Sequence, residues 1–200
     1  MKEIENALAL ELPADASRVA GERLAARAAE EGLLDVAYAV VHSPVGRLVL
    51  AGTRRGLVEI AYDSEELDSI LERLAARLSP RVLEAPTRLD PVRRELDEYF
   101  EGRRLGFDLP LDWSLSAGFS QRVLRATAKV PYGQVSTYRE VAAKAGNERA
   151  VRAAGNALGS NPIPIVVPCH RIVRTGGALG GYGGGVERKE YLLRLEGALT

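Results

Sequence analysis

Three short apolar runs open the patterned part of the chain: Val36–Val41, Arg47–Ala51 and Leu57–Tyr62. The turn-forming stretches His42–Gly46 and Thr53–Gly56 separate them, so they predict three strands joined as a β-meander. The period then changes. Leu67, Ile70, Leu71, Leu74 and Leu78 recur every three or four residues, which places them on one face of a helix closed by Pro80. Asp90 followed by Pro91 reads as an N-cap ahead of a first-turn proline, opening a second helix that ends at Gly102. Upstream of the meander, an alanine-, arginine- and glutamate-rich stretch predicts a helix capped by Asp15 and stopped at Gly32. Its apolar positions are mostly alanine, so it offers a core only a weak face.

Beyond residue 112 the pattern is mainly helical with a glycine-rich tail. Phe119–Lys129 predicts a helix carrying Phe119, Val123, Leu124 and Thr127 near one side, broken by Pro131-Tyr132-Gly133. Thr137 and Glu140 stand at capping-box spacing, so the next helix starts at Tyr138 and runs to about Ala145. Gly146-Asn147 turns the chain, and Asn147 is expected to cap a third helix ending near Gly159. Two short helices across a glycine-containing turn make a helix-turn-helix candidate, although plain helical cores contain the same pair. The third helix is nearly bare, with Ala150, Ala153, Ala154, Gly155 and Ala157 between the projecting Arg149 and Arg152. Such a helix suits close approach to a narrow minor groove with little base reading, or equally tight packing against another helix. The chain is therefore read as α+β in three stretches: a helical extension over 1–35, a small α/β scaffold over 36–112, and a helical unit over 113–200.

Charge reinforces that division. The formal net charge is zero, yet residues 1–112 carry 15 basic and 22 acidic side chains, a balance of −7. Residues 113–200 carry 12 basic and 5 acidic, a balance of +7, which suits a C-terminal half that meets a polyanion. No run approaches eighteen apolar residues, and the start MKEIENALALELPAD has no signal-peptide pattern, so neither membrane nor secretion is expected. A single cysteine makes no internal disulfide and points to a reducing, cytoplasmic setting. That cysteine, His42 and His170 lie too far apart for a zinc spacing, and no metal is expected.

The chemistry is concentrated between Asn161 and Arg171. Pro162, Pro164 and Pro168 are expected to hold this segment as an extended, buried strand from which Cys169 emerges beside His170. A lone buried cysteine is most simply a small hydrophobe. Here, however, His170 and Arg171 are expected to lower the thiol pKa. Neighbouring side chains on an extended segment point to opposite faces, so His170 is expected to reach Cys169 through a bridging water. Its other nitrogen needs an orienting partner, for which Glu196 is a candidate.

Pro168-Cys169-His170-Arg171, the preceding Asn161-Pro162-Ile163-Pro164, the following Gly180–Gly185 tract and the Val130–Tyr138 block together resemble the O6-alkylguanine-DNA alkyltransferases, the methylated-DNA–protein-cysteine methyltransferases. The likeness is strong over Ala117–Ala198 and looser over Val36–Pro110. It implies an RNase H-like N-terminal domain and a winged helix-turn-helix-like C-terminal domain. It further implies direct-reversal repair, in which Cys169 takes the alkyl group of O6-alkylguanine from a flipped-out base in one irreversible turnover. O4-alkylthymine stands as a further candidate substrate, and no cofactor is implied. The partner would be double-stranded DNA, bound through the minor groove by a monomer and largely without regard to sequence. By the same resemblance His170 is the water-relayed base, Glu196 orients it, and Asn161 ties the turn together. Tyr138 would rotate the target phosphate and donate to the guanine, and Arg152 would fill the vacated stack. Backbone near Ile172 and Gly183 would hold the base edge, with Ser120, Arg139, Asn147 and Thr175 facing the DNA backbone. Gly183 stands where some relatives carry serine, and the zinc-binding cysteines of some relatives are missing. A cysteine hydrolase would instead start a helix with its nucleophile and pair it with a distant histidine. A helix-turn-helix regulator would need a polar reading helix, and a lesion-binding relative that does not transfer would lack the cysteine.

Overall fold

The computed structural model describes residues 14–199, with side chains from Val19 onward. Strands β1 (Val36–Ser43), β2 (Gly46–Thr53) and β3 (Gly56–Tyr62) form the expected antiparallel meander. Both faces of this sheet are covered. Val49, Ala51, Val58 and Ala61 pack against Ile70 and Leu74 of α2 (Leu67–Arg77), while Leu48, Leu50, Ile60 and Tyr62 enter the main core. Burial on both sides is why β2 reads as a continuous apolar run rather than an alternating one. A fourth strand, β4 (Val82–Glu84), pairs parallel to β1 and completes the order β3-β2-β1-β4. Three residues are too few to show a period, so this strand leaves no signal in the hydrophobic pattern.

Helix α1 (Ala14–Glu30) docks through Ala25 and Ala28 on Leu34, Ala37 and Ala85. The cap expected at Asp15 falls among side chains outside the described set. A 3-10 turn over Pro86–Leu89 leads directly into α3 (Asp90–Phe100). Asp90 consequently already has helical dihedrals, φ −54° and ψ −40°, and is the first helical residue rather than the N-cap.

The C-terminal half contains α4 (Gly118–Thr127), α5 (Tyr138–Lys144), α6 (Val151–Gly159) and α7 (Val186–Leu195), with a two-stranded parallel pair β5 (Ser136–Thr137) and β6 (Ile172–Val173). The capping box forms as expected between Thr137 and Glu140. Asn147 does not cap α6, which starts four residues later behind Ala150. Its side-chain oxygen instead accepts from the Arg149 amide at 3.1 Å and shapes the preceding turn. The Pro162–Pro168 segment is buried as expected but is not a strand. It coils through successive turns, closed by Val166 N to Pro164 O (2.9 Å) and Val167 N to Ile163 O (2.8 Å), with Ile165 in the left-handed region at φ 73°. Proline fixes φ near −65°, a value that turns accept as readily as extended chain.

The two halves share one core. Leu50 and Ile60 of the sheet, Leu96 and Tyr99 of α3, Val123 of α4, Val141 of α5 and Leu192 of α7 belong to a single buried cluster. The Ile60 amide also donates to the Pro162 carbonyl at 2.8 Å, so the turn segment covers the free edge of β3. No described helix is long and apolar enough to cross a membrane.

Gly56 shows how tightly the segment after α3 packs on the edge of β3. It has φ +130°, and an added Cβ would collide with the Pro110 carbonyl, whose oxygen accepts from the Leu57 amide at 2.9 Å. Gly56→Ala is expected to destabilise the protein by about 2–4 kcal/mol. Gly102→Ala, at φ +72° with nothing within 4 Å of its Cβ, is expected to cost about 1 kcal/mol. Urea titration of both variants measures the difference, and equal losses would contradict the close approach.

Candidate active site

Cys169 begins a single 3-10 turn, Cys169–Arg171, at the end of the coiled proline segment. Asn161 holds that segment in shape: its Nδ2 donates to the Val167 carbonyl at 2.8 Å and its Oδ1 accepts from the Ile163 amide at 3.1 Å. The same Nδ2 lies 3.1 Å from Cys169 Sγ. Burial pushes the thiol pKa up to about 11, opposed by the Asn161 hydrogen bond and the charge of Lys189. The expected lowering by His170 and Arg171 is therefore overturned. The Arg171 guanidinium is committed elsewhere, and His170, whose pKa burial lowers, is neutral near pH 7.

Both residues turn inward to Glu196, the C-cap of α7. His170 Nε2 is 2.9 Å from Glu196 Oε1, and Arg171 donates through Nε and Nη2 to the two carboxylate oxygens, each at 2.9 Å. Arg171 Nη1 also donates to the Val130 carbonyl at 2.6 Å. From α3, the Tyr99 hydroxyl donates to Glu196 Oε1 at 2.6 Å. Burial by itself would raise the Glu196 pKa, but the His170 and Arg171 hydrogen bonds outweigh it and hold the carboxyl down to about 2. His170 Nδ1, by contrast, is buried with no hydrogen-bond partner among the described residues. The ring is thus clamped on one side and open on the other.

Cys169 stands where two recesses meet. The larger, about 310 Å³, is bounded by Tyr138, Gly155, Leu158 and the Gly181–Gly183 loop. The smaller, about 150 Å³, lies toward the sheet and is bounded by Ile60, Tyr62, Pro162, Pro164, Tyr182 and Gly184. Another recess of about 230 Å³, beside the β2–β3 turn, shares no residue with either and holds no nucleophile. Tyr138, the first residue of α5, lies against Gly155 and Gly180, where a Cβ at Gly180 would come within 2.8 Å of the hydroxyl. Gly183 faces the end of α6, and a Cβ there would lie 3.1 Å from the Gly159 carbonyl. Ile172 is buried in β6, and its carbonyl accepts from Lys189 Nζ, which also donates to the Leu179 carbonyl.

The remaining residues singled out in the sequence do not line these recesses. Arg152, Arg139, Asn147 and Thr175 are exposed, and Ser120 is half-buried in the first turn of α4. Arg139 lies 3.7 Å from Glu148. Arg152 makes no hydrogen bond or ion pair among the described residues, so no salt bridge accounts for it. It precedes Gly155 and Gly159 by three and seven positions, which places it one turn before the mouth of the larger recess on the same face of α6.

Four residues at the site carried no weight in the sequence. Tyr62, Tyr99 and Tyr182 supply hydroxyls or rings around Cys169 and Glu196, and Lys189 is fully buried with its pKa pulled down to about 8 by desolvation. Lys189 was the most legible of them, because it falls in phase with Leu192 and Leu193 on the apolar face of α7.

Comparison with known proteins agrees with this geometry. Residues 36–113 match the family model of the 6-O-methylguanine DNA methyltransferase ribonuclease-like domain, and residues 118–198 match that of its DNA binding domain. A methylated-DNA–protein-cysteine methyltransferase of Methanosarcina barkeri is 36% identical over 159 residues, covering 80% of this chain and 96% of that protein. One from Mycolicibacterium paratuberculosis is 39% identical over 161 residues, covering 80% and 92%. Among solved structures, Mycobacterium tuberculosis O6-methylguanine methyltransferase matches with a TM-score of 0.70 at 36% identity, over 82% of this chain and 94% of that one. The crystal structure of M. tuberculosis OGT in complex with DNA matches with a TM-score of 0.70 at 36% identity, over 81% and 93%. Likeness at this level, spanning nearly the whole of each relative and both halves of the fold, means that the chain belongs to the methylated-DNA–protein-cysteine methyltransferase family.

Proposed function

We propose that this protein repairs DNA by moving the alkyl group of O6-alkylguanine onto Cys169, once per molecule. The observation that carries this reading is the buried, unpartnered Nδ1 of a histidine whose other nitrogen is fixed by Glu196, next to a thiol at the junction of two recesses. With its pKa at about 11, the thiol needs a base as the substrate arrives. A water between Nδ1 and Sγ passes the thiol proton to His170, and the Glu196 carboxylate stabilises the imidazolium so formed. Sulfur then bonds to the alkyl carbon while the carbon–O6 bond breaks, and the departing guanine keeps that electron pair and takes up a proton. The Tyr138 side chain lines the larger recess, and its hydroxyl would ease that departure as a donor. The product is a thioether. It has no carbonyl for water to attack, which separates this chemistry from that of a cysteine hydrolase.

The alkyl carbon is out of reach inside a duplex, so the base must turn out into the larger recess. The bare face of α6 and Arg152, unpaired among the described residues, suit entry into a minor groove, where the guanidinium fills the gap left in the stack. The +7 balance of residues 113–200 favours binding to phosphates irrespective of sequence.

Peptide mass mapping after mixing with an O6-methylguanine duplex is expected to find one methyl on Cys169 and none elsewhere, and none in Cys169→Ser. Repeated turnover by one molecule would overturn the reading. Arg152→Ala is expected to slow transfer from duplex DNA by about tenfold or more while sparing transfer from free O6-alkylguanine base, which needs no extrusion. His170→Ala is expected to slow both, and single-turnover rates on the two substrates distinguish the roles. The depressed Glu196 pKa sets a sign for stability against pH. Its contribution is complete above the ordinary glutamate pKa and is lost as pH falls toward about 2. The wild-type melting temperature should therefore fall between pH 5 and 2. Glu196→Gln should start lower at pH 7 and show a shallower acid descent, and parallel curves would contradict the assignment.

A further inference from the structure

We infer that Tyr62, on the N-terminal sheet, sets the size of alkyl group that Cys169 accepts by pinning the Tyr182 ring that walls both recesses. This deepens the alkyl-transfer reading and rests on it. Tyr62 is the last residue of β3, and its hydroxyl lies 2.7 Å from that of Tyr182. The two rings meet edge to face, with centroids 6.2 Å apart and planes at 63°. Burial raises both phenol pKa values, so both hydroxyls keep their protons at neutral pH and one can donate to the other.

Tyr62 is itself held from both halves of the chain. The Arg188 guanidinium lies 4.8 Å from the Tyr62 ring centroid. Arg188 donates from Nε to the Val45 carbonyl at 2.7 Å and from Nη1 to the Gly184 carbonyl at 2.8 Å, and it pairs with Asp63. There is little slack around the two rings. A Cβ at Gly184 would lie 2.5 Å from Tyr62 Cε2 and 2.9 Å from Tyr182 Cε1, so the loop backbone rests directly on both. Close packing of this kind resists small displacements, and a ring so braced behaves as a fixed wall.

The consequence falls on whatever extends beyond the reacting carbon. That carbon must sit at Sγ, so a larger substituent has to fit against Tyr182, which bounds both recesses, or against Tyr62, which bounds the smaller. A methyl group makes no such demand, whereas a benzyl group requires the Tyr182 ring to yield. Removing the Tyr62 hydroxyl unpins the ring without deleting any part of the packed aromatic face.

The test compares second-order rate constants for duplexes carrying O6-methylguanine and O6-benzylguanine in wild type, Tyr62→Phe, Tyr182→Phe and the double variant, with a melting curve for each. Tyr62→Phe is expected to raise the benzyl-to-methyl rate ratio by about threefold or more, the scale of one lost hydrogen bond. Tyr182→Phe should give the same shift, and the double variant should add nothing, because each single change breaks the same bond. An unchanged ratio in Tyr62→Phe, with both rates falling together, would show that Tyr62 only supports the fold and would overturn the inference. Wild-type protein that leaves Cys169 unmodified by either duplex would overturn the alkyl-transfer reading itself, a result distinct from an unchanged ratio.

Discussion

The Glu196 carboxylate, 5% exposed, draws donors from separate parts of the chain: His170 and Arg171 in the 3-10 turn, Tyr99 in α3, and the Gly133 amide at 3.4 Å. A buried charge is tolerated only when its lone pairs are filled, and here both oxygens are engaged. The arrangement has a direct consequence for the thiol. It fixes the histidine ring with Nδ1 unpaired among the described residues, and it absorbs the Arg171 charge that would otherwise act on Cys169. Without this carboxylate, the Arg171 cation would lose its counter-charge inside the core and the Tyr99 hydroxyl its acceptor, a loss on the scale of about 3–5 kcal/mol.

Helix α7 carries both ends of this arrangement. Glu196 caps its C-terminus, and Lys189, two turns earlier, reaches the carbonyls of Ile172 and Leu179. One rigid element thereby ties the turn bearing Cys169, strand β6 and the glycine-rich loop. The N-terminal half is more than a scaffold, because its helix α3 contributes Tyr99 to the carboxylate and its strand β3 contributes Tyr62 to the wall of the smaller recess. Burial of the thiol keeps it protonated, and burial of the histidine that follows it keeps that ring neutral.

Much of this was legible in the residues alone. Short apolar runs between turn residues located the meander, and a three-to-four-residue period located α2. Asp90-Pro91 and Gly102 bracketed α3, and the Thr137–Glu140 spacing located α5, because each rests on interactions within a few residues. Cys169, His170, Asn161 and Glu196 were named from the motif and its resemblance, and the fold brings them together. Misreadings arose where local signals compete. Asp90 looked like a cap until the 3-10 turn before it took that place, Asn147 serves a turn rather than a helix, and the prolines coil their segment instead of extending it.

The sequence by itself determined the meander, the main helices, the family and the identity of the thiol, since these depend on short-range patterns and on contiguous motifs. Only the tertiary structure decided the electrostatic state of that thiol and the company it keeps. A pKa is set by burial and by charges brought together from distant positions, so flanking cations that promise a thiolate count for little once Arg171 is paired with a residue 25 positions away. The contacts of Tyr62 with Tyr182, 120 positions apart, and of Tyr99 with Glu196, 97 apart, are invisible to any local pattern, because the chain must fold before those groups meet.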